Sequence, residues 1–143
     1  MAKRILSIAF KAYQQHQTML LPPSLDELIS KEHPVRVVNE VLDKIDIDPL
    51  LKKYKGGGSS SFHPRMLLKV LVYAYINNTY SSRKIEAALK ENIHFMWLSG
   101  MSTPDHNTIN RFRSDRLKEV LRHVFTQVVI MLNEQGLLNI KEL

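Results

Sequence analysis

Between Met66 and Ile76, in the segment PRMLLKVLVYAYINN, nearly every position is apolar and Lys69 is the one charge. A helix apolar on all sides is a buried one, and the length of the run with its Met, Leu and Ala content favours helix over a buried strand. Pro64 suits the first helical turn. This segment predicts the central core helix. Upstream, Val35, Val38, Val41, Leu42 and Ile45 recur at spacings of three and four, which predicts an amphipathic helix opened by Pro34. Ser24 and Glu27 have capping-box spacing, with Asp26 also near the positive end, so a short helix should run to about Ser30. Asp48-Pro49 starts a further turn or short helix that ends near Tyr54. Downstream, Ser81 or Ser82 caps a helix with Ile85, Ala88 and Leu89 inward and Arg83, Lys84, Glu86 and Lys90 outward. NIHFMWLSG reads as a short apolar helix closed by Gly100. From Leu117, the stripe Leu117, Val120, Leu121, Val124, Phe125, Val128 and Leu132 predicts a last long helix closed by Gly136. That stripe is either core or a seam facing a partner. No segment alternates with period two for long, so the expected fold is all-α: a compact multi-helix domain with a long C-terminal helix.

Residues 1–21 show no period and read as an N-terminal arm, leaving 22–143 as one helical domain. KGGGSSS, at 55–61, reads as a flexible loop inside it.

The polar pattern is most unusual in STPDHNTINRFR, residues 102–113. Thr103 as cap and Pro104 as first helical residue predict a helix over 104–115. Ile109 and Phe112 share its apolar edge, with Thr108 beside them. His106, Asn107, Asn110, Arg111 and Ser114 lie opposite, and Arg113 and Arg116 fall on the flank. Asn pairs with the exposed edge of adenine, Arg reaches guanine O6 and N7, and flanking Arg suits phosphates. With the short apolar helix before it and the Gly-containing connection SGMST, this is the outline of a helix-turn-helix whose recognition helix is 104–115. A solvated surface helix that happens to carry Asn and Arg is the alternative.

Charge bears on the same choice but, since a merely soluble basic surface would carry it too, does not decide it alone. The net charge is +6, yet residues 26–48 carry seven acidic against three basic side chains. The excess of cations therefore lies in the arm and the C-terminal two-thirds, where it favours polyanions. Other totals mainly exclude. Hydrophobic content of 44% with 24% charged residues is that of a globular chain, neither disordered nor fibrous. There are no cysteines, so disulfides and thiolate zinc sites are ruled out. The start, MAKRILSIAF, has too short an apolar run for a signal peptide, and no run is long enough to span a bilayer. The expected location is the cytoplasm, with no membrane partner. His63 and His106 stand at no recognisable metal-ligand spacing, and His63 before Pro64 reads as a cap or phosphate contact. His33 and His94 read as loop or partly buried residues. Asp105 reads as a charge favouring a helix start rather than a catalytic acid. GGGSS lacks the Gly-Lys-Ser/Thr ending of a phosphate-cradling loop. No catalytic residues, metal or cofactor are expected.

MLLPPSLDELI, HPVRVVNEVLDKID, FHPRMLLKVLVYAY, YSSRKIEAALKENIHFMWLSG and PDHNTINRFR occur in that order. Together they resemble the N-terminal domain of bacterial insertion-sequence transposases of the DDE class, the InsH-like N-terminal domain, over roughly residues 10–140. The resemblance implies a DNA-binding front end that recognises the terminal inverted repeats of a mobile element. It implies DNA-facing roles for His106, Asn107, Asn110, Arg111 and Arg113. Ser82, Arg83 and Lys84 become phosphate contacts at a helix start, with His63 and Arg65 as weaker candidates. In such transposases a following ribonuclease-H-like domain supplies three carboxylates for two metals. No stretch here matches its first Asp motif, so the catalytic domain is expected to be absent and the chain not to cut DNA by itself. The expected partner is double-stranded DNA at transposon ends. A helical oligomerisation or regulatory module, pairing through the 117–132 helix, is the alternative function.

Overall fold

The structure, a computed structural model, describes residues 8–54, 62–134 and 136. The expected loop at 55–61 lies outside them. Among the described residues there are eight α-helices and no strands. They are α1 (Leu25–Leu28), α2 (Pro34–Lys44), α3 (Asp48–Leu51), α4 (Pro64–Ile76), α5 (Ser82–Glu91), α6 (Ile93–Leu98), α7 (His106–Arg111) and α8 (Leu121–Glu134), with a π-helical turn, Phe112–Leu117, after α7. Residues 8–24 form no helix and their side chains are exposed.

Local chemistry sets the boundaries. Ser24 and Glu27 make both halves of the capping box of α1. His33 and His63 play the same part at α2 and α4: each Nδ1 accepts the amide two residues on, 3.1 Å away, with Pro at the first helical position. His63 is therefore the cap that one of its two readings required. His33 also stacks on His94 of α6, ring centroids 3.9 Å apart. Burial, then the neighbouring His33, holds the His94 imidazole below its ordinary value.

The core lies where α4 packs on α2, α5 and α6, with α8 closing over α2. Leu67, Leu68, Val70, Leu71, Val72, Tyr73 and Ala74 of α4 are all buried, as are Val35, Val38, Val41 and Leu42 of α2. Each such Leu contributes about 1.5–3 kcal/mol through removal from water. The lone charge of α4 does not interrupt this packing, because the Lys69 stem runs along the surface and its Nζ meets Asp43 of α2 at 2.6 Å. Arg65 donates to the carbonyls of Leu42 and Ile45 at the end of α2, so its guanidinium is occupied in joining α4 to α2.

The last stripe resolves mostly into core. Leu117, Val124, Val128 and Leu132 are buried, and Val120 and Phe125 are half-buried against them. The four buried residues are therefore core rather than seam, while Leu121 stays exposed. The helix itself starts at Leu121 rather than Leu117, because the chain from Phe112 winds more loosely before re-entering α-helix.

Candidate nucleic-acid interface

Helices α5, α6 and α7 share one corner of the core. Ser81, not Ser82, caps α5, its hydroxyl accepting the Lys84 amide at 3.4 Å. Ile85 and Leu89 anchor the helix, which leaves Arg83 and Lys84 exposed near its N-terminus and Ser82 half-buried. Asn92 ends α5 and caps α6, its Oδ1 accepting the His94 amide at 2.9 Å, so the chain turns sharply. Gly100, at φ 59°, stops α6. Its amide bonds the Trp97 carbonyl and the Met101 amide bonds that of Met96, the paired contacts that satisfy a helix end.

The next helix begins two residues later than its sequence suggests. Asp105, not Thr103, is the cap, accepting the Thr108 amide at 2.8 Å, and Pro104 is buried ahead of it rather than in the first turn. That Thr108 bond holds the Asp105 carboxyl below its ordinary range. The freed amide of His106 finds a partner across the fold, donating to Glu86 Oε1 of α5 at 2.9 Å, with His106 Nδ1 3.3 Å from the same oxygen. Glu86, expected to face solvent, is thus the residue that fastens α7 to α5. The His106 amide is the main reason its carboxyl titrates low. A carboxylate whose folded pKa is depressed stabilises above its ordinary value of 4.5 and loses that effect as pH falls through the lowered one. Glu86→Ala should therefore lower the urea midpoint at neutral pH, and the gap from the parent should close in acid. A gap that stays constant through the acid limb would contradict the assignment.

Beneath α7, Ile109 and Phe112 are buried, as the periodicity requires. The nine residues singled out in the sequence then separate by what their side chains already hold. His106 is half-buried against Glu86 instead of facing outward. Arg113 donates to the Tyr80 carbonyl at 2.7 Å, the Tyr75 hydroxyl at 3.4 Å and Asn110 Oδ1 at 2.8 Å, tying α7 to the α4–α5 connection. Ser114 bonds back to the Asn110 carbonyl at 2.8 Å. Asn107 and Arg111 are exposed and, among the described residues, their side chains have no hydrogen-bond or ion-pair partner; Arg83 and Lys84 share that condition. Asn110 is exposed, with its amide nitrogen still free to donate.

Among the described residues no group of three or more His, Asp or Glu side chains is placed to hold a metal, and no helix is long and apolar enough to cross a membrane. No curated protein matches the chain, and neither does any solved structure. Residues 23–115, from just before the cap of α1 into the π-helical turn, match the model of a family described as a transposase domain (DUF772). This match takes in about two-thirds of the chain, including every helix of the α5–α7 corner, and the chain belongs to that transposase-domain family.

Proposed function

We propose that the chain is a sequence-specific DNA-binding module that recognises the terminal inverted repeats of an insertion sequence. The observation that carries this reading is the two-sidedness of α7. One face is buried and pinned to α5, and the other exposes Asn107, Asn110 and Arg111, side chains suited to adenine and guanine edges. In this reading α5 and α7 are the working helix pair of a helix-turn-helix, and α6 is folded into the connection between them. This differs from pairing α6 with α7, and the support is that α7 packs and hydrogen-bonds on α5. Arg83 and Lys84 at the start of α5 anchor phosphates, with Ser82 beside them. His106, Arg113 and Ser114 serve by holding α7 in place. The domain is 22–143, and the arm before it brings further positive charge to the backbone. Recognition falls to this chain, and cleavage and joining to a separate carboxylate-bearing domain.

Fluorescence anisotropy across a salt series, comparing a terminal-repeat duplex with a scrambled one, tests this. Tighter binding to the repeat at every salt concentration is expected. Replacing both Arg83 and Lys84 by Ala should weaken both duplexes alike and flatten the log–log salt slope by about 2, close to one for each phosphate no longer neutralised. Equal affinity for the two duplexes would reduce the reading to a basic surface.

A further inference from the structure

Residues 77–81 join α4 to α5 and lie beside the outward face of α7. Arg113 makes the link: the guanidinium that donates to the Tyr80 carbonyl at 2.7 Å also donates to Asn110 Oδ1 at 2.8 Å. The turn and the face that carries Asn110 therefore meet at one side chain. From Pro49 to Ile85 the chain carries no carboxylate, and the next one, Glu86, is bonded to His106. A polyanion lying over α7 and this turn meets no like charge from that stretch.

Asn78 is the residue of this turn that the fold explains least. Its backbone ends α4: at φ 58° its amide donates to the Tyr75 carbonyl at 3.0 Å, and the Thr79 amide donates to that of Ala74 at 2.8 Å. Glycine meets that conformation without a strained Cβ, as Gly100 does at the end of α6. Asparagine adds a side chain, and it is exposed. Its Oδ1 accepts the Tyr80 hydroxyl at 3.2 Å, while its Nδ2 has no partner among the described residues. The Tyr80 ring rests on Tyr75, centroids 5.6 Å apart, which gives the hydroxyl a fixed base. The adjacent Asn77 differs: its Nδ2 donates to the Tyr73 carbonyl at 2.8 Å and so belongs to the fold. Tethering the oxygen of the Asn78 amide leaves its two N–H donors for an outside acceptor. Phosphate oxygens along a duplex accept from amide donors of this kind.

We propose that Asn78 is a phosphate contact: its side-chain amide donates to a backbone phosphate beside the groove that α7 enters. Tyr80 is the positioning residue, its hydroxyl orienting that amide. The inference rests on the DNA-binding reading of α7 and adds to it an uncharged contact, carried by the turn rather than by α5 or α7.

Anisotropy of the full chain with the terminal-repeat and scrambled duplexes, alongside urea midpoints, tests it. Asn78→Gly should weaken binding to both duplexes about 3–10-fold, the size of one neutral hydrogen bond. The log–log salt slope should stay unchanged, because no cation is lost. The midpoint should equal or exceed the parent's, since glycine suits the backbone there. Tyr80→Phe keeps the ring on Tyr75, removes the hydroxyl and should weaken binding about 2–4-fold. Beside Asn78→Gly the same change should have no further effect, because no amide is left to orient. Unchanged affinity in Asn78→Gly, or a loss that tracks a fallen midpoint, would overturn the proposal. A Tyr80→Phe effect that persists in full beside Asn78→Gly would overturn the positioning role. Equal binding of the parent to both duplexes would sink only the terminal-repeat reading, and the Asn78→Gly comparison would still decide this one. A parent that binds neither duplex would sink both.

Discussion

Replacing Arg36 by Ala is expected to lower stability by about 2–4 kcal/mol, the largest loss anticipated at any residue with so little of its own bulk in the core. Its guanidinium donates to the Ser30 carbonyl at 2.9 Å, to the Asp26 carboxylate and carbonyl at 2.7 Å each, and to the Ile29 carbonyl at 2.8 Å. It also lies over the Trp97 ring, 5.2 Å from the centroid. Helix α1 is four residues long and buries none of them. Nothing in its sequence could hold it as an isolated helix. Arg36 is what ties it, from α2, to the corner where α6 lies. Without the fork, three carbonyls lose their donor and Ile29, now buried, loses the segment that positions it. Lys at 36 should recover less than half of the loss, because a single ammonium cannot match that geometry. Urea unfolding followed by circular dichroism gives the magnitude. The single tryptophan, Trp97, should report locally through its fluorescence. A loss below about 1 kcal/mol would mean that α1 is held by something else.

What could be read from the sequence was what local pattern decides. The core faces of α2 and α4, the capping box at Ser24, the His63 cap and the Gly100 stop follow from residues within a turn or two of each other, and all stand in the structure. The start of α7 was not legible in that way. Thr103 followed by Pro104 and Asp105 followed by His106 both offer a sound helix start. The choice is settled by Glu86, twenty residues away, which takes the His106 amide and makes the later start complete. Arg36 escaped notice for the same reason: its partners lie six to ten residues off, across a turn. The π-helical turn has no sequence rule at all, and it shifted the start of α8 from Leu117 to Leu121. Local rules located the corner that α7 occupies, but long-range polar contacts decided which of its side chains remain free.

That distinction predicts opposite outcomes for two arginines two residues apart. Arg111→Ala should cost about 1–3 kcal/mol of discrimination between the terminal repeat and altered duplexes, concentrated at one or two base pairs. Its side chain is exposed and, among the described residues, holds nothing in the fold, so stability should move by no more than about 0.5 kcal/mol. Arg113→Ala should do the reverse. It removes the donor to the Tyr80 carbonyl and the tie to Tyr75, and stability should fall by about 1–2 kcal/mol. Its effect on DNA should follow from a loosened α7 and so be spread over all base pairs of the site. Freeing Asn110 Oδ1 adds to that looseness, since Arg113 fixes its rotamer in the parent. The two readouts, urea midpoints and a base-pair substitution series in anisotropy, are independent. If Arg113→Ala relaxes one base pair while leaving the midpoint unchanged, the guanidinium leaves Tyr80 to read DNA and its bonds within the fold are a resting state. If Arg111→Ala lowers the midpoint instead, α7 is turned relative to α5 and its outward face must be reassigned.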